Sequence, residues 1–393
     1  MTDEHLSITP EQEVFDDRLY DSFLADLAAQ EARAKERPPT TPTLSWYEHM
    51  DRSNPLSQVL ILSGSSHPEF AAQVAQHLGF EKTGEEPANF SDDSVRVRIG
   101  SNMRDRKTLF IGSPHGKETG NHFDELTFAA TTARNHWATY QGLLAVVPYF
   151  VYGRQDRESY GQREPPSAHI MIQRFRDEGV LGMMTMDPHN DAVTGSFRGP
   201  WERLYGSYYL SKHIRRVLPD LNPVVVNPDA GAGKRSRHFA DYLGNVPMVS
   251  ADKFRIESGE ATGEIEFGNY IKGVKGADCI IPDDEISSGE TIDGVAKTLR
   301  MLGANSVIAV ATHGKFAKSG RARLYKSKNV DLVFVTDTLP QNEEILKATG
   351  MDEKIKVVHV AGVFGEALRV VLGGNGATMR QLYELPFDQF NIY

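Results

Sequence analysis

The stretch that most constrains this chain runs from Ala277 to Gly294, ADCIIPDDEISSGETIDG. It reads as a buried strand over Cys279–Pro282, two adjacent carboxylates, a small-residue turn and a helix. Ile292, Val295, Ala296 and Leu299 recur at helical spacing. The free backbone N–H groups at such a helix start, together with the helix dipole, attract a phosphate. Asp283 and Asp284, at the strand's end, can face sugar hydroxyls or hold a divalent metal. The same letters also fit an ordinary strand–turn–helix with capping Ser and Asp.

The rest of the chain repeats that grammar. Strands are expected at Val59–Leu62, Ser94–Ile99, Thr108–Ile111, Leu143–Tyr149 and Gly182–Met186. Helices are expected at Pro68–Leu78, Asn121–Thr139 and Ala168–Glu178. The pattern restarts with helices at Tyr208–Leu218 and Ser236–Leu243 and strands at Pro223–Asn227, Pro247–Ala251, Ala277–Pro282, Ser306–Thr312, Leu332–Thr336 and Lys356–His359. A last helix is expected at Gly365–Leu372. Alternating strands and helices argue for an α/β fold with parallel sheets flanked by helices. A length of 393 residues suits two such domains. They are expected at 56–199, completed by the tail 362–393, and at 200–361. Residues 1–55 form an added segment, with an amphipathic helix over Val14–Glu36 and a stiff Pro-rich linker, Arg37–Thr43.

The net charge is −10, and the first 50 residues hold eleven Asp/Glu against four Lys/Arg, or −7. The body is therefore near neutral, which argues against a general nucleic-acid-binding role. The sequence has no run of eighteen apolar residues and no basic-then-apolar leader, so a soluble cytoplasmic protein without a membrane partner is expected. Cys279 is the single cysteine. It falls in the apolar strand and reads as core, and no disulfide framework is possible.

In open α/β sheets, ligands collect at the carboxyl ends of strands. Asp187 and His189 follow one strand, Asp229 another, Asp283 and Asp284 a third, and His313 a fourth. The turn Asp229–Arg235 suits a polyphosphate or a basic helix cap. It is not a Walker A loop, because Pro228 and Arg235 stand where Gly and Ser/Thr are required. Lys253 and Arg255 precede a polar, Gly-rich segment, Ile256–Gly276. They read either as cations that close on a transferring phosphoryl group or as a solvated face. Arg154 and Gln155 have the donors to read a base or phosphate, or to form a salt-bridged loop.

On these residues the chain resembles the ribose-phosphate diphosphokinase (PRPP synthetase) family. The matching segments, in the family's order, are Pro148–Arg157, Arg163–Pro165, Thr185–His189, Asn227–Gly231, Asp252–Arg255, Asp283–Thr291 and Ala311–Gly314, with Asn89–Asp92 as an early Phe-Ser-Asp loop. The resemblance spans about Gln58 to Arg380. It implies two phosphoribosyltransferase-like domains, homo-oligomers, and transfer of the β,γ-diphosphoryl group of MgATP to the 1-hydroxyl of ribose 5-phosphate. It further implies Lys253, Arg255 and His189 as catalytic residues. The ATP contacts would be Arg154 and Gln155, with Phe90 and Asp92 from an adjacent subunit. His189, Asp229, Asp283 and Asp284 would hold Mg2+. Asp283, Asp284, Ser287, Ser288, Gly289 and Thr291 would bind the sugar phosphate.

The sugar-phosphate loop departs from the family pattern Asp-Asp-x-x-Asp-Thr-Gly/Ala-Gly-Thr. Ser287 replaces the third Asp, Ser288 the Thr, and Glu290 a small residue. A carboxylate beside a phosphate dianion costs on the order of 1–4 kcal/mol when poorly screened. Two further readings stay open at this point. One keeps the chemistry with a larger acceptor such as ADP-ribose. The other is a non-catalytic regulatory homologue in mixed oligomers.

Overall fold

A computed structural model describes residues 59–80, 85–104, 106–136, 142–158, 161, 163–228, 230–253, 265–267, 273–317, 319–373, 378–385 and 390. The helix expected over Val14–Glu36 lies outside them.

The first sheet is built from β1 (Val59–Ser63), β4 (Lys107–Ile111), β5 (Leu143–Val146), β6 (Gly182–Met186) and β7 (Trp201–Leu204), in that spatial order. Every pairing in it is parallel. Between β1 and β4 the chain forms α1 (Pro68–Leu78) and an antiparallel hairpin, β2 (Glu85–Asn89) and β3 (Val95–Ile99). Pro68 opens α1, where its missing N–H is no loss, and Gly79 closes it in the left-handed region at φ 80°. Two more helices, α2 (Thr119–Asn135) and α3 (Ser167–Asp177), flank this sheet. The strand expected over Ser94–Ile99 belongs to the hairpin rather than the sheet. β7 carries the first sheet past residue 199, where the second domain was expected to begin.

The second half continues with α4 (Gly206–Val217), β8 (Pro223–Asn227), α5 (Gly233–Tyr242), β9 (Met248–Lys253) and β10 (Ile265–Phe267). Then come β11 (Asp278–Ile286), α6 (Glu290–Met301), β12 (Ser306–Gly314), α7 (Gly320–Lys326), β13 (Leu332–Thr336), α8 (Glu343–Ala348) and β14 (Ile355–Val358). The spatial order is β10-β9-β8-β11-β12-β13-β14. Only β10 runs antiparallel to its neighbour. The chain ends in α9 (Ala361–Gly373) and α10 (Met379–Leu382). The expected fold class, two parallel sheets flanked by helices, is what the structure has.

One element differs from its expectation in a way that matters. Asp283 and Asp284 do not follow the strand; they lie inside it. β12 runs alongside as far as Gly314 and pairs Asp283 with Ala311, Glu285 with His313 and Ile286 with Gly314. β8 pairs only with Asp278–Ile280, so Pro282 sits where the ladder on that side has ended and its missing N–H is tolerated.

Three apolar clusters layer the molecule. One lies between the sheets and joins Ile61, Leu109 and Met184 to Ile280, Ile308 and Phe334 through Tyr209 and Ile214 of α4 and Phe364 of α9. The outer face of the first sheet packs on α2 and α3, and that of the second on α6. Although it follows the second sheet, α9 packs on α1. The Phe364 and Phe70 rings meet edge-on at 5.3 Å, and His77 Nε2 lies 2.7 Å from Glu366 Oε1. Gly365 permits that approach, since a Cβ there would meet His77 at 2.5 Å.

Candidate active site

The site assembles where β6 of the first sheet and β11 of the second present their carboxyl ends to each other. After β6 the chain turns sharply at Asp187, whose φ of 37° is unusual for a residue with a side chain. Its carboxylate holds the turn by accepting from Gly206 N at 3.0 Å and Thr312 Oγ1 at 2.5 Å. Burial raises the Asp187 carboxyl above its ordinary range, against the opposing Thr312 hydrogen bond. The turn delivers His189, whose Nδ1 donates to Asp284 Oδ2 over 2.5 Å. Arg235, in the first turn of α5, reaches the same pair. Its Nη1 lies 2.9 Å from Asp283 Oδ1 and 3.1 Å from Asp284 Oδ1.

These contacts split the two carboxylates. Burial raises the Asp283 carboxyl above the ordinary range, helped by the neighbouring Asp284. Burial acts on Asp284 as well, but the His189 hydrogen bond and the Arg235 charge outweigh it and hold Asp284 well below the carboxylate range. The hydrogen bond to Asp284 also raises His189. Two carboxylates this close favour a bound cation. Among the described residues, no three His, Cys, Asp or Glu side chains are grouped so as to hold a metal ion. Mg2+ usually takes one or two protein carboxylates and fills its shell with water and substrate phosphate. The carboxylate oxygens of Asp283 and Asp284 are of the kind Mg2+ takes, whereas His189 Nδ1 is occupied by its hydrogen bond to Asp284. Asp229 lies outside the described residues, as does Arg255, and of Lys253 only the backbone at the end of β9 is described.

Beside this group opens a cleft of about 470 Å³. Arg154 and Gln155 line it, with Tyr149, His115, Lys117 and Lys315. The expected nucleotide residues thus share a basic pocket. Tyr149, Glu285 and Lys315 were not singled out from the sequence, although Tyr149 stands inside a matched segment and Lys315 directly follows another.

The loop after β11 places Ser287, Ser288, Gly289 and Thr291 around the first turn of α6. Gly289 adopts φ 72°, and a Cβ there would meet Leu324 Cγ at 2.9 Å. Glycine is required twice over at this position. The loop also rests on α7, where a Cβ on Gly320 would come within 2.1 Å of the Ser287 carbonyl oxygen. Glu290 is the first residue of α6, and its Oε1 lies 3.0 Å from Arg323 Nη2 on α7. The carboxylate that departs from the family pattern is thus paired with a cation.

His313 differs from its expectation as a ligand group. It is buried in β12, with Nδ1 2.8 Å from Thr338 Oγ1 and Nε2 3.1 Å from the Met186 carbonyl. Burial lowers its pKa, and its contact with the Met186 carbonyl ties the two sheets together. Phe90 and Asp92 sit at the hairpin tip. Arg96 lies 5.4 Å above the Phe90 ring and Ser94 donates to Asp92. Among the described residues, no contact joins either to His189 or Arg154. Cys279 is core, as expected, with burial pushing its thiol up to about 11.

Residues 59–179 match the N-terminal domain of ribose phosphate pyrophosphokinase, and residues 268–384 match the phosphoribosyl synthetase-associated domain. A ribose-phosphate pyrophosphokinase of Wolinella succinogenes is 35% identical over 79% of this chain and 95% of its own length. One from Helicobacter hepaticus is 35% identical over 79% of this chain and 94% of its own. The solved phosphoribosylpyrophosphate synthetase from Mycobacterium smegmatis, 28% identical, superposes with a TM-score of 0.71 over 80% of this chain and 98% of its own. Such similarity runs through nearly the whole of each relative and extends to the arrangement of the fold, so the chain belongs to the ribose-phosphate pyrophosphokinase (PRPP synthetase) family and is an enzyme of that type.

Proposed function

We propose that the protein transfers the β,γ-diphosphoryl group of ATP to the 1-hydroxyl of ribose 5-phosphate, giving PRPP and AMP. The observation that carries the reading is the convergence of His189, Arg235, Asp283 and Asp284 between a basic cleft and a helix-start loop. A nucleotide suits the cleft and a sugar phosphate suits the loop.

In this reading the cleft, through Arg154 and Gln155, holds ATP, with Phe90 and Asp92 contributed by a second copy of the chain. Asp283 and Asp284 meet the ribose hydroxyls. Ser287, Ser288, Gly289 and Thr291 receive the 5-phosphate at the α6 N-terminus. The 1-hydroxyl oxygen attacks the β-phosphorus and its proton is released to solvent, the bond from that phosphorus to the α,β-bridging oxygen breaks, and AMP leaves carrying that oxygen. Lys253 and Arg255 neutralise the charge that builds on the transferring group. Mg2+, held by Asp283, Asp284, His189 and Asp229, would supply charge neutralisation on the phosphates. The Glu290–Arg323 pair supports ribose 5-phosphate over a larger acceptor, because the carboxylate's charge is already answered.

AMP release is to be measured with MgATP and, in parallel, ribose 5-phosphate and ADP-ribose. The reading expects AMP with ribose 5-phosphate, and a loss of kcat of at least about a hundredfold in Lys253→Ala. AMP only with ADP-ribose would reassign the acceptor. No AMP with either, or an unaffected Lys253→Ala, would overturn the reaction.

A further inference from the structure

Glu285 is buried on β11, one residue past the carboxylate pair, and its carboxylate meets residues that line the cleft. Three groups surround it. Arg154 Nε lies 2.9 Å and Lys315 Nζ 3.8 Å from its Oε1. Tyr149 donates to Oε2 over 3.4 Å. Neither cation gives Oε1 a well-aligned hydrogen bond, so charge holds this arrangement more than hydrogen-bond geometry does. Arg154 and Tyr149 come from the first sheet's side of the molecule and Glu285 and Lys315 from the second, so the contact spans both. Arg154, Lys315 and Tyr149 all line the 470 Å³ cleft, whereas Glu285 lies beneath it.

The chemistry of this arrangement is specific. Arg154 is about half exposed and meets Glu285 through Nε. The terminal nitrogens of its guanidinium carry four further donors, and Arg154 lines the cleft. An exposed arginine loses considerable rotamer freedom when it is fixed on a ligand, and a partner that fixes it beforehand reduces that loss. Glu285 also sets two cations side by side that would otherwise repel each other.

We infer that Glu285 is a positioning residue for the nucleotide: it anchors Arg154 and Lys315 in the floor of the cleft so that both present donors to the polyphosphate nucleotide. This rests on the cleft being the ATP site.

Glu285→Gln keeps the shape and removes the charge. Equilibrium binding of a non-hydrolysable MgATP analogue is to be measured alongside steady-state kinetics and the thermal midpoint. The expected result is an analogue Kd and an ATP KM raised about five- to tenfold, a smaller change in kcat, and an acceptor KM within about twofold. Arg154→Ala should weaken the analogue by itself, and adding Glu285→Gln to it should weaken binding no further. Unchanged or tighter analogue binding in Glu285→Gln, or full additivity with Arg154→Ala, would overturn the inference. So would a uniform loss of kcat and of both KM values with a lowered thermal midpoint. Wild-type protein that binds the analogue but releases no AMP would sink the proposed reaction while leaving the positioning role intact. Wild-type protein that does not bind the analogue would sink both.

Discussion

At the scale of single residues, the pairing of charges decides what the site can hold. Glu290, read in isolation, repels a phosphate; beside Arg323 it is one half of a surface pair worth about 0–1 kcal/mol. Two predictions follow from that pairing. Glu290→Gly should change the acceptor KM by less than about threefold, whereas Arg323→Ala, which frees the carboxylate, should raise it about three- to tenfold. Steady-state kinetics with varied ribose 5-phosphate measures both, and a large gain in Glu290→Gly would contradict the pairing argument. His189→Ala should lower kcat by about a hundredfold or more while the protein still melts cooperatively, because it removes a group aimed at the carboxylates rather than a core side chain. The residues themselves were legible in the sequence. Their partners were not, because Arg235 finds Asp283, and Arg154 finds Glu285, only through tertiary structure.

At the scale of elements, β11 and the loop after it show how a strand can carry polar chemistry deep into a sheet. Four carboxylates sit on nine residues of β11, and each has a partner: Asp278 with Ser306 and Asn305, Asp283 and Asp284 with Arg235, and Glu285 with Arg154. The sequence pattern ended this strand at Pro282 because proline and acids read as a break. It lacked the knowledge that β12 continues alongside. Strands and helices with a clear apolar period were readable, such as β1 and α6. β7 and the short helices α7 and α8 were missed because four to seven residues carry too little period. Of these, α7 supports the loop after β11 at Gly320. Gly320→Ala should push the Ser287 carbonyl aside and raise the acceptor KM about tenfold or more, with analogue binding in the cleft unchanged. Equal losses on both substrates would point instead to general misfolding.

At the scale of the whole molecule, two parallel sheets share one apolar layer and are tied by a polar seam. The seam includes Asp187 with Thr312, His313 with the Met186 carbonyl, Ser113 with the Thr338 carbonyl, and His189 with Asp284. The apolar layer supplies the stability. Phe364→Ala, fully buried against Phe70, should destabilise by about 3–5 kcal/mol in denaturant unfolding. His359 adds a pH-dependent part. Its hydrogen bond to Asp337, with Glu343 on the other ring nitrogen, raises its pKa above the ordinary value of 6.5 and outweighs its burial. A raised histidine stabilises fully below its unfolded pKa and loses that contribution as pH rises through the folded one. The unfolding free-energy gap between wild type and His359→Gln should therefore be larger at pH 5.5 than at pH 8.5, and a gap that grows with pH would reverse the sign. The central claim is that a site built across this seam moves a diphosphoryl group intact from ATP to the sugar. Phosphorus NMR of the products made from MgATP and ribose 5-phosphate tests it most directly. The account predicts AMP and a 1-diphosphorylated ribose 5-phosphate in equal amounts; ADP with a monophosphorylated sugar would contradict it.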